Sequence, residues 1–423
     1  MKKQLKDGPI VIVGGGVAGL GAARRLVQRG VKVILLEAKD RLGGRIHTIH
    51  EHGIPIELGA EFIHGRSPPL LRAISDAGLH ASKVSGQHLQ WAKGKFKTAK
   101  IWEQIAAIIG KIDPHGPDVP FSEFLSKAKL SPAARRLALG FVEGFDAAEP
   151  SRISAHSLLR AEYSAEHMDG SWQGRVNEGY SALVNFLAAE VVQKGGSIVK
   201  ECLAREIIWK KGAVEIHATT RRRREIYKGR AVVLTLPLGV WKRGNVRFSP
   251  ALPEKTAVIK ALEFGNVVRC VLVFRKKWWP KSKRGFIHAF EEPIPTWWDD
   301  ARGPVLTAWL GGPKADDLQT YSPEHLRAIC ITTLAKIFSR RPAFIRSQLT
   351  GFHYHNWTHD PHIRGGYSYI PAGGMELPKQ LATPVANTLF FAGEATVSDA
   401  QMGTVFGALE SGQRAAREVL RMR

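Results

Sequence analysis

Three glycines and one carboxylate near the start of the chain have the types and spacing to hold a dinucleotide. Gly14, Gly16 and Gly19 form G-x-G-x-x-G directly after the apolar run Ile10, Val11, Ile12 and Val13. Gly14 permits a tight turn, Gly16 lets backbone N–H groups approach a pyrophosphate, and Gly19 lets the next helix pack closely on the strand. The spacing predicts a helix over residues 20–28, with the pyrophosphate on its N-terminus, and a second strand over 31–36 ending in Glu37. An acid about twenty residues beyond the glycines is placed to bind ribose hydroxyls, and its charge disfavours a 2′-phosphate, hence NADP.

A second glycine-rich tract, FFAGEATVSDAQMGTVFGA over residues 390–408, lies at the other end of the chain. Between the two stand EAKDRLGGR, containing Arg41, Gly43, Gly44 and Arg45, then ELGAEFIHG over 57–65 and NWTHDPHIRGGYSYIPAGG over 356–374. Together with VIVGGGVAGL, these tracts resemble the flavin-dependent amine oxidases, that is, monoamine oxidases, polyamine oxidases and flavin histone-lysine demethylases. The likeness spans the whole chain.

The resemblance implies an α/β fold, a discontinuous Rossmann-like FAD-binding domain plus an α+β substrate-binding domain with mixed sheet and helices. It implies FAD rather than NAD, hydride transfer from the carbon bearing the amine nitrogen to flavin N5, imine hydrolysis, and reoxidation by O2 with release of H2O2. The cofactor residues it implies are Gly14, Gly16, Gly19, Glu37, Arg45 near the phosphates, Gly59, Ala60, Trp357 beside the isoalloxazine, Gly393, Glu394, Gly403 and Thr404. Tyr367 matches one of two aromatic rings that flank the substrate in many members, and His64 matches a histidine of animal and some plant polyamine oxidases. Trp357 could equally be a core indole and His64 a histidine satisfied by backbone. No cysteine lies within 364–371, where monoamine oxidases attach their flavin, so the cofactor is expected to be non-covalent.

Two departures bear on the chemistry. Thr404 stands where monoamine and plant polyamine oxidases have the second aromatic ring, which opens the space before the flavin and suits a bulkier or secondary amine. Arg269 stands where the family places a lysine that holds a water near N5. In VVRCVLVF, alternation puts Arg269 on the same face as Val271 and Val273, and a buried guanidinium, permanently charged, asks for a partner. That partner is either a substrate carboxylate, as in an amino-acid oxidase, or an interdomain acid. The catalytic candidates are therefore Tyr367, Arg269, Thr404 and His64.

The elements that must position these residues divide into five segments. Residues 1–84, 174–246 and 384–423 are expected to build the flavin domain, 85–173 a helical part of the substrate domain, and 247–383 its sheet and helices. Helices are expected over 101–110, 132–144, 323–338 (N-cap Ser322) and 412–420, and strands over 213–219, 225–233, 262–274 and 305–310. The doublets Trp278-Trp279 and Trp297-Trp298 read as core or cleft walls.

Hydrophobic residues make up 44% of the 423, enough for a sizeable core and against disorder. Cys202, Cys270 and Cys330 are odd in number and form no C-x-x-C, which points to a reducing, cytoplasmic setting. No apolar run reaches the roughly 18 residues of a membrane helix, and no anchor follows Arg423, so a soluble protein is expected. His353, His355, His359 and His362 fall in a flavin-adjacent tract, and no metal site is expected of them. The net charge of +23 is spread along the chain and reads as a solvated basic coat, with Arg221–Arg224 densest at a hairpin tip. It argues mildly against polyamines unless Glu57 and Glu61 offset it locally. The expected partners are a small-molecule amine and O2. The rival readings are another flavin reaction on the same scaffold, such as L-amino-acid oxidation, carotenoid desaturation or protoporphyrinogen oxidation, and a flavin-containing protein that docks nucleic acid.

Overall fold

The run Ile10–Val13 is apolar at every position because both of its faces are covered. Ile10 and Ile12 pack into a core with the helices Val17–Val27, Tyr180–Gln193 and Val405–Leu420, while Val11 and Val13 pack into a second core on the opposite face. Continuous burial of this kind is the signature of a parallel strand inside a layered sheet. The computed structural model describes residues 8–422 apart from 85, 168, 171, 222, 399 and 400. Arg222 of the basic cluster, and residues 399 and 400 of the C-terminal tract, thus lie outside the described residues.

Five parallel strands form the first sheet, in the order Ser197–Val199, Val33–Leu36, Ile10–Val13, Ala231–Leu234 and Leu389–Phe391. These strands come from three widely separated stretches of chain, so this Rossmann-like sheet is discontinuous in sequence. A mixed sheet of Arg223–Gly229, Ala213–Thr220, Cys202–Lys210 and Arg247–Ser249, antiparallel but for the parallel pairing of its last two strands, covers its second face.

The other large unit is a mixed seven-stranded sheet, ordered Leu349–Tyr354, Val267–Phe274, Val305–Gly311, Thr296–Asp299, Gly285–His288, Gln87–Ala92 and Lys95–Thr98. Its Val268, Cys270, Leu272 and Phe274 face a core shared with the helix Pro323–Phe338, where Trp279 and Trp297 are also buried. Ser322 caps that helix, its hydroxyl accepting from the N–H of His325 at 3.3 Å. Val271 and Val273 point the other way, onto Ile56 and Leu58. The helices Ile101–Ile109, Phe121–Lys127, Pro132–Phe145 and Ala155–His167 pack around a third core.

Two expected strands are each broken in two. Residues 262–274 yield Glu263–Gly265, which pairs with Tyr367–Tyr369, and then Val267–Phe274 in the large sheet. The break follows from Gly265, where a Cβ would lie 1.8 Å from the carbonyl oxygen of Ala147; the glycine admits that distant backbone. Residues 225–233 likewise divide at Arg230, where Gly229 lets the carbonyl of Pro9 approach to 2.6 Å of its Cβ position. The chain there leaves the antiparallel cover and enters the parallel sheet. Two helices also start earlier than expected, at Val17 and Val405.

The tightest contact between helices is at Gly412, where a Cβ would sit 2.0 Å from the carbonyl oxygen of Ala18. Gly412→Ala should therefore lower stability by about 1–3 kcal/mol through overpacking. Gly144→Ala places its methyl in open space on a helix and should leave stability unchanged or raise it. Urea denaturation of the two variants side by side checks both signs.

Candidate active site

One cavity of about 1520 Å³ runs from the glycine turn at Gly14 to the seven-stranded sheet. At one end the helix Val17–Val27 begins at Gly16 with no side-chain cap, so its first N–H groups are left for a ligand. A Cβ on Gly16 would meet nothing within 4 Å, whereas one on Gly19 would lie 1.9 Å from the carbonyl oxygen of Gly14. Gly16 thus lines the cavity, and Gly19 does not; it serves strand–helix packing instead. Glu37 accepts from the N–H of Gly15 at 2.6 Å and of Lys39 at 2.9 Å. Burial nonetheless pushes this carboxyl up, opposed by those two backbone donors. A bare helix N-terminus, an open glycine and a fixed acid fit the pyrophosphate and ribose of a dinucleotide such as FAD.

The middle of the cavity is stitched together by Glu394. It accepts from Arg45 at 2.9 Å, from the Ser368 hydroxyl at 3.1 Å and from the N–H of Gly403 at 3.1 Å, joining three remote segments. Arg45 also donates to the carbonyl of Gly366 at 2.7 Å. Trp357 is buried and donates to the carbonyl of Leu58 at 2.9 Å. Its ring edge lies 2.9 Å from the Cβ position of Gly59, whose neighbour Ala60 also lines the cavity. Gly393 has φ +129° and open space at its Cβ position. Gly403, at φ +72°, lies flat against Tyr367, whose ring is 3.1 Å from its Cβ position.

At the far end stand Tyr367, His64, Arg269 and Thr404, all on the cavity wall. The Tyr367 hydroxyl donates to the carbonyl of Phe145 at 2.5 Å, and burial holds its phenol far above the usual range. His64 meets the ring of Phe145 edge-on at 5.6 Å, and burial drops it to about 4, so the imidazole is neutral at pH 7. The Thr404 hydroxyl caps the helix Val405–Leu420, accepting from the N–H of Gly407 at 3.0 Å and donating to the carbonyl of Gln401 at 2.6 Å. Its hydroxyl is therefore already engaged in holding that helix end.

Arg269 is buried and already paired. It donates to the carbonyl of Gly59 at 3.0 Å and to Glu61. Glu61 also meets Arg175 at 2.5 Å and receives the indole N–H of Trp298 at 3.2 Å. Burial alone would raise Glu61, but Arg175 and Arg269 together hold it below the ordinary range. Of the two partners open to Arg269, the structure supplies the internal acid. Glu57 and Glu61, the acids that could offset the basic charge locally, both have internal partners. Glu61 is held between two guanidinium groups, and Glu57 is buried, accepting from Thr48 at 2.7 Å and from the N–H of Tyr180 at 2.8 Å.

His353 bonds Glu51, and His355 bonds Asp360 at 2.9 Å. Trp298 is a cleft wall, as are Trp102, Phe141, Phe145, Phe286 and Phe290, which no sequence pattern singled out. Asp146, a carboxyl on the same wall, was also missed. Its only local signal is an acid directly after the helix Pro132–Phe145.

A family model described as "Flavin containing amine oxidoreductase" matches residues 17–131 and 113–420. Polyamine oxidase 2 of Arabidopsis thaliana is 29% identical, over 97% of this chain and 87% of its own length. The flavin-containing amine oxidase A of Sus scrofa is 26% identical, over 97% and 84%. Among solved structures, wild-type putrescine oxidase bound to putrescine superimposes with a TM-score of 0.81 at 20% identity, over 98% of this chain and 99% of that one. Cyclohexylamine oxidase from Brevibacterium oxydans gives 0.81 at 20% identity, over 98% and 100%.

Removing the acid between two buried guanidinium groups should be severe. Glu61→Ala is expected to cost about 3–5 kcal/mol, because it strands two buried cations. Arg269→Met in the same background should return part of that loss, which a double-mutant cycle in urea would measure.

Proposed function

The chain belongs to the flavin-containing amine oxidoreductases, FAD-dependent enzymes that act on amines, and we propose that it is an oxidase of small primary or secondary amines. When bound, FAD supplies the acceptor of a hydride, at N5, from the carbon next to the amine nitrogen, and returns to its oxidised form through O2 with release of H2O2.

The protein's own part is binding, orientation and exclusion of water. The bare N-terminus at Gly16 would carry the pyrophosphate and Glu37 the ribose. Arg45 and Glu394 would hold the cofactor's middle, with Trp357, Gly59, Ala60, Gly393 and Gly403 shaping the slot beyond. None of the cysteines stands near Tyr367: Cys270 and Cys330 lie in the core behind the substrate sheet and Cys202 beside Glu37. This supports a non-covalent cofactor, and three unpaired thiols support a reducing, cytoplasmic compartment. Among the described residues no helix is long and apolar enough to cross a membrane.

We take residues 1–84, 174–246 and 384–423 as the flavin domain and the remainder as the substrate domain, with the reaction where they meet. There Tyr367 would border the substrate on one side, while Thr404 leaves the other side open to a bulky body. His64 and Tyr367 are neutral at pH 7, and Arg269 is paired. These three groups therefore add no free positive charge beside a substrate amine, and desolvation would lower its pKa toward the neutral form that oxidation requires. The imine would then hydrolyse to a carbonyl compound.

The observation that carries this reading is the unbroken cavity from Gly14 to Tyr367. The amino-acid alternative rested on a free Arg269, and Glu61 occupies it. Docking of nucleic acid draws little from the hairpin tip, where Arg221 pairs with Glu201 and Arg223 with Glu225.

Anaerobic mixing of the FAD-loaded enzyme with a panel of monoamines and diamines should bleach the flavin, and admission of air should restore it. Bound flavin that no amine bleaches would overturn the proposal, and bleaching that air does not reverse would remove O2 as acceptor. Tyr367→Ala should keep FAD yet slow reduction by about 100-fold through loss of orientation. Tyr367→Phe, which keeps the ring, should stay within several-fold.

A further inference from the structure

The helix Pro132–Phe145 ends on Asp146, and Ala147 turns the chain there with φ +50°. The side chain of Asp146 lines the cavity, and its Oδ2 is shut off from solvent without a hydrogen-bond partner. Two other site groups converge on the preceding residue: Tyr367 donates to the carbonyl of Phe145, and His64 packs on its ring. Of the other acids on the cavity wall, Glu37 is held by backbone N–H groups, Glu61 by two guanidinium groups, Glu394 by Arg45, Glu103 by Lys100 and Asp169 by Arg66, and Glu162 is engaged as well. Among the described residues Asp146 has no hydrogen-bond partner for its Oδ2, although a buried carboxyl without a partner costs stability. Helix capping does not explain it, since the cap is closed by the backbone N–H of Asp146 on the carbonyl of Val142.

This inference rests on reading the cavity as an FAD and amine site. We infer that Asp146 is a catalytic residue that receives the substrate as its ammonium ion and takes one proton from it, leaving the neutral amine before Tyr367. In this step an N–H bond breaks and an O–H bond forms. R–NH3+ and the Asp146 carboxylate become R–NH2 and the carboxylic acid, and the N–H electron pair stays on nitrogen as its lone pair. Nothing is oxidised or reduced, and the lone pair is what lets the neighbouring carbon later release a hydride. The transfer cancels two charges in a dry cavity, which draws the proton affinities of ammonium and carboxylate together. Burial already pushes Asp146 up to about 7, near the value that suits a base at neutral pH. The substrate class is therefore a primary, secondary or tertiary amine that arrives protonated, and quaternary ammonium ions are excluded.

The cavity wall also carries His88, His288, Glu162, Asp169 and Lys83, of which burial pushes the two histidines down. His64 sits at about 4, Tyr369 at about 12 and Tyr367 higher still. Glu103, on the helix Ile101–Ile109, is exposed and pairs with Lys100, and the strand Val305–Gly311 carries no titratable side chain. Near neutrality, Asp146 is the group among these that changes charge.

The test is Asp146→Asn in the FAD-loaded enzyme. Flavin reduction by cyclohexylamine at neutral pH should slow about 100-fold and recover as the pH approaches the amine's own pKa, where solution supplies the neutral form. A second readout needs no turnover. tert-Butylamine has no hydrogen on the carbon bonded to nitrogen, so it binds without being oxidised. Its perturbation of the flavin spectrum should require about tenfold more ligand in the variant, while that of tert-butanol stays unchanged. Thermal stability should hold or rise, because an unpartnered acid is lost. If Asn disturbs the turn, Asp146→Ser is measured in the same way. If the unsubstituted enzyme holds FAD but no amine reduces it, the functional reading fails. If amines reduce it and the Asp146 variants match its rates at every pH with equal tert-butylamine affinity, the role of Asp146 fails.

Discussion

The geometry of the active site hangs on one buried cluster of charge, Glu61 between Arg175 and Arg269. Arg269 lies on the substrate sheet, Glu61 follows the Gly59–Ala60 wall, and Arg175 comes from a third strand, so the cluster ties three parts of the chain together. None of the three charges is tolerable alone in that setting, and each is held by the others. The guanidinium of Arg269 also grips the carbonyl of Gly59, which itself touches Trp357. The distance between the cofactor slot and the substrate sheet is thereby fixed by electrostatics as much as by packing.

Around that cluster the histidines of the cavity wall and the phenol of Tyr367 are held in their neutral forms. His64, His88 and His288 are all pushed down by burial, His288 to about 3, and Tyr367 is held as a phenol. His88 and His288 stack within 5.3 Å of one another and lie against Phe286 and Phe290. Their rings therefore act as polar-edged aromatics and add no cationic charge.

What could be read in the sequence was local. The strand, glycine turn and helix at Gly14–Gly19 rest on backbone rules that need no distant partner, and so does the Ser322 cap. Alternation placed Arg269 on the correct face, but its acid lies 208 residues away and left no trace in the local pattern. The breaks at Gly265 and Gly229 were hidden for the same reason, since a carbonyl from Ala147 or Pro9 interrupts apolar runs that look continuous. Asp146 was hidden more deeply, because being unpartnered is a property of the whole folded chain. Thr404 was read as a missing ring, while its work as a helix cap depended on where the next helix starts.

The five-stranded sheet carries one more consequence. Its last strand, Leu389–Phe391, forms an edge of the sheet beside Ala231–Leu234, and Glu394, which ties Arg45 to Gly403, follows at once. On the ribosome, the nascent chain can hold the glycine turn for nearly the whole of synthesis without a closed cofactor pocket. Closure of the cofactor site therefore waits on the last stretch of the chain, which supplies Leu389–Phe391, Glu394 and Gly403.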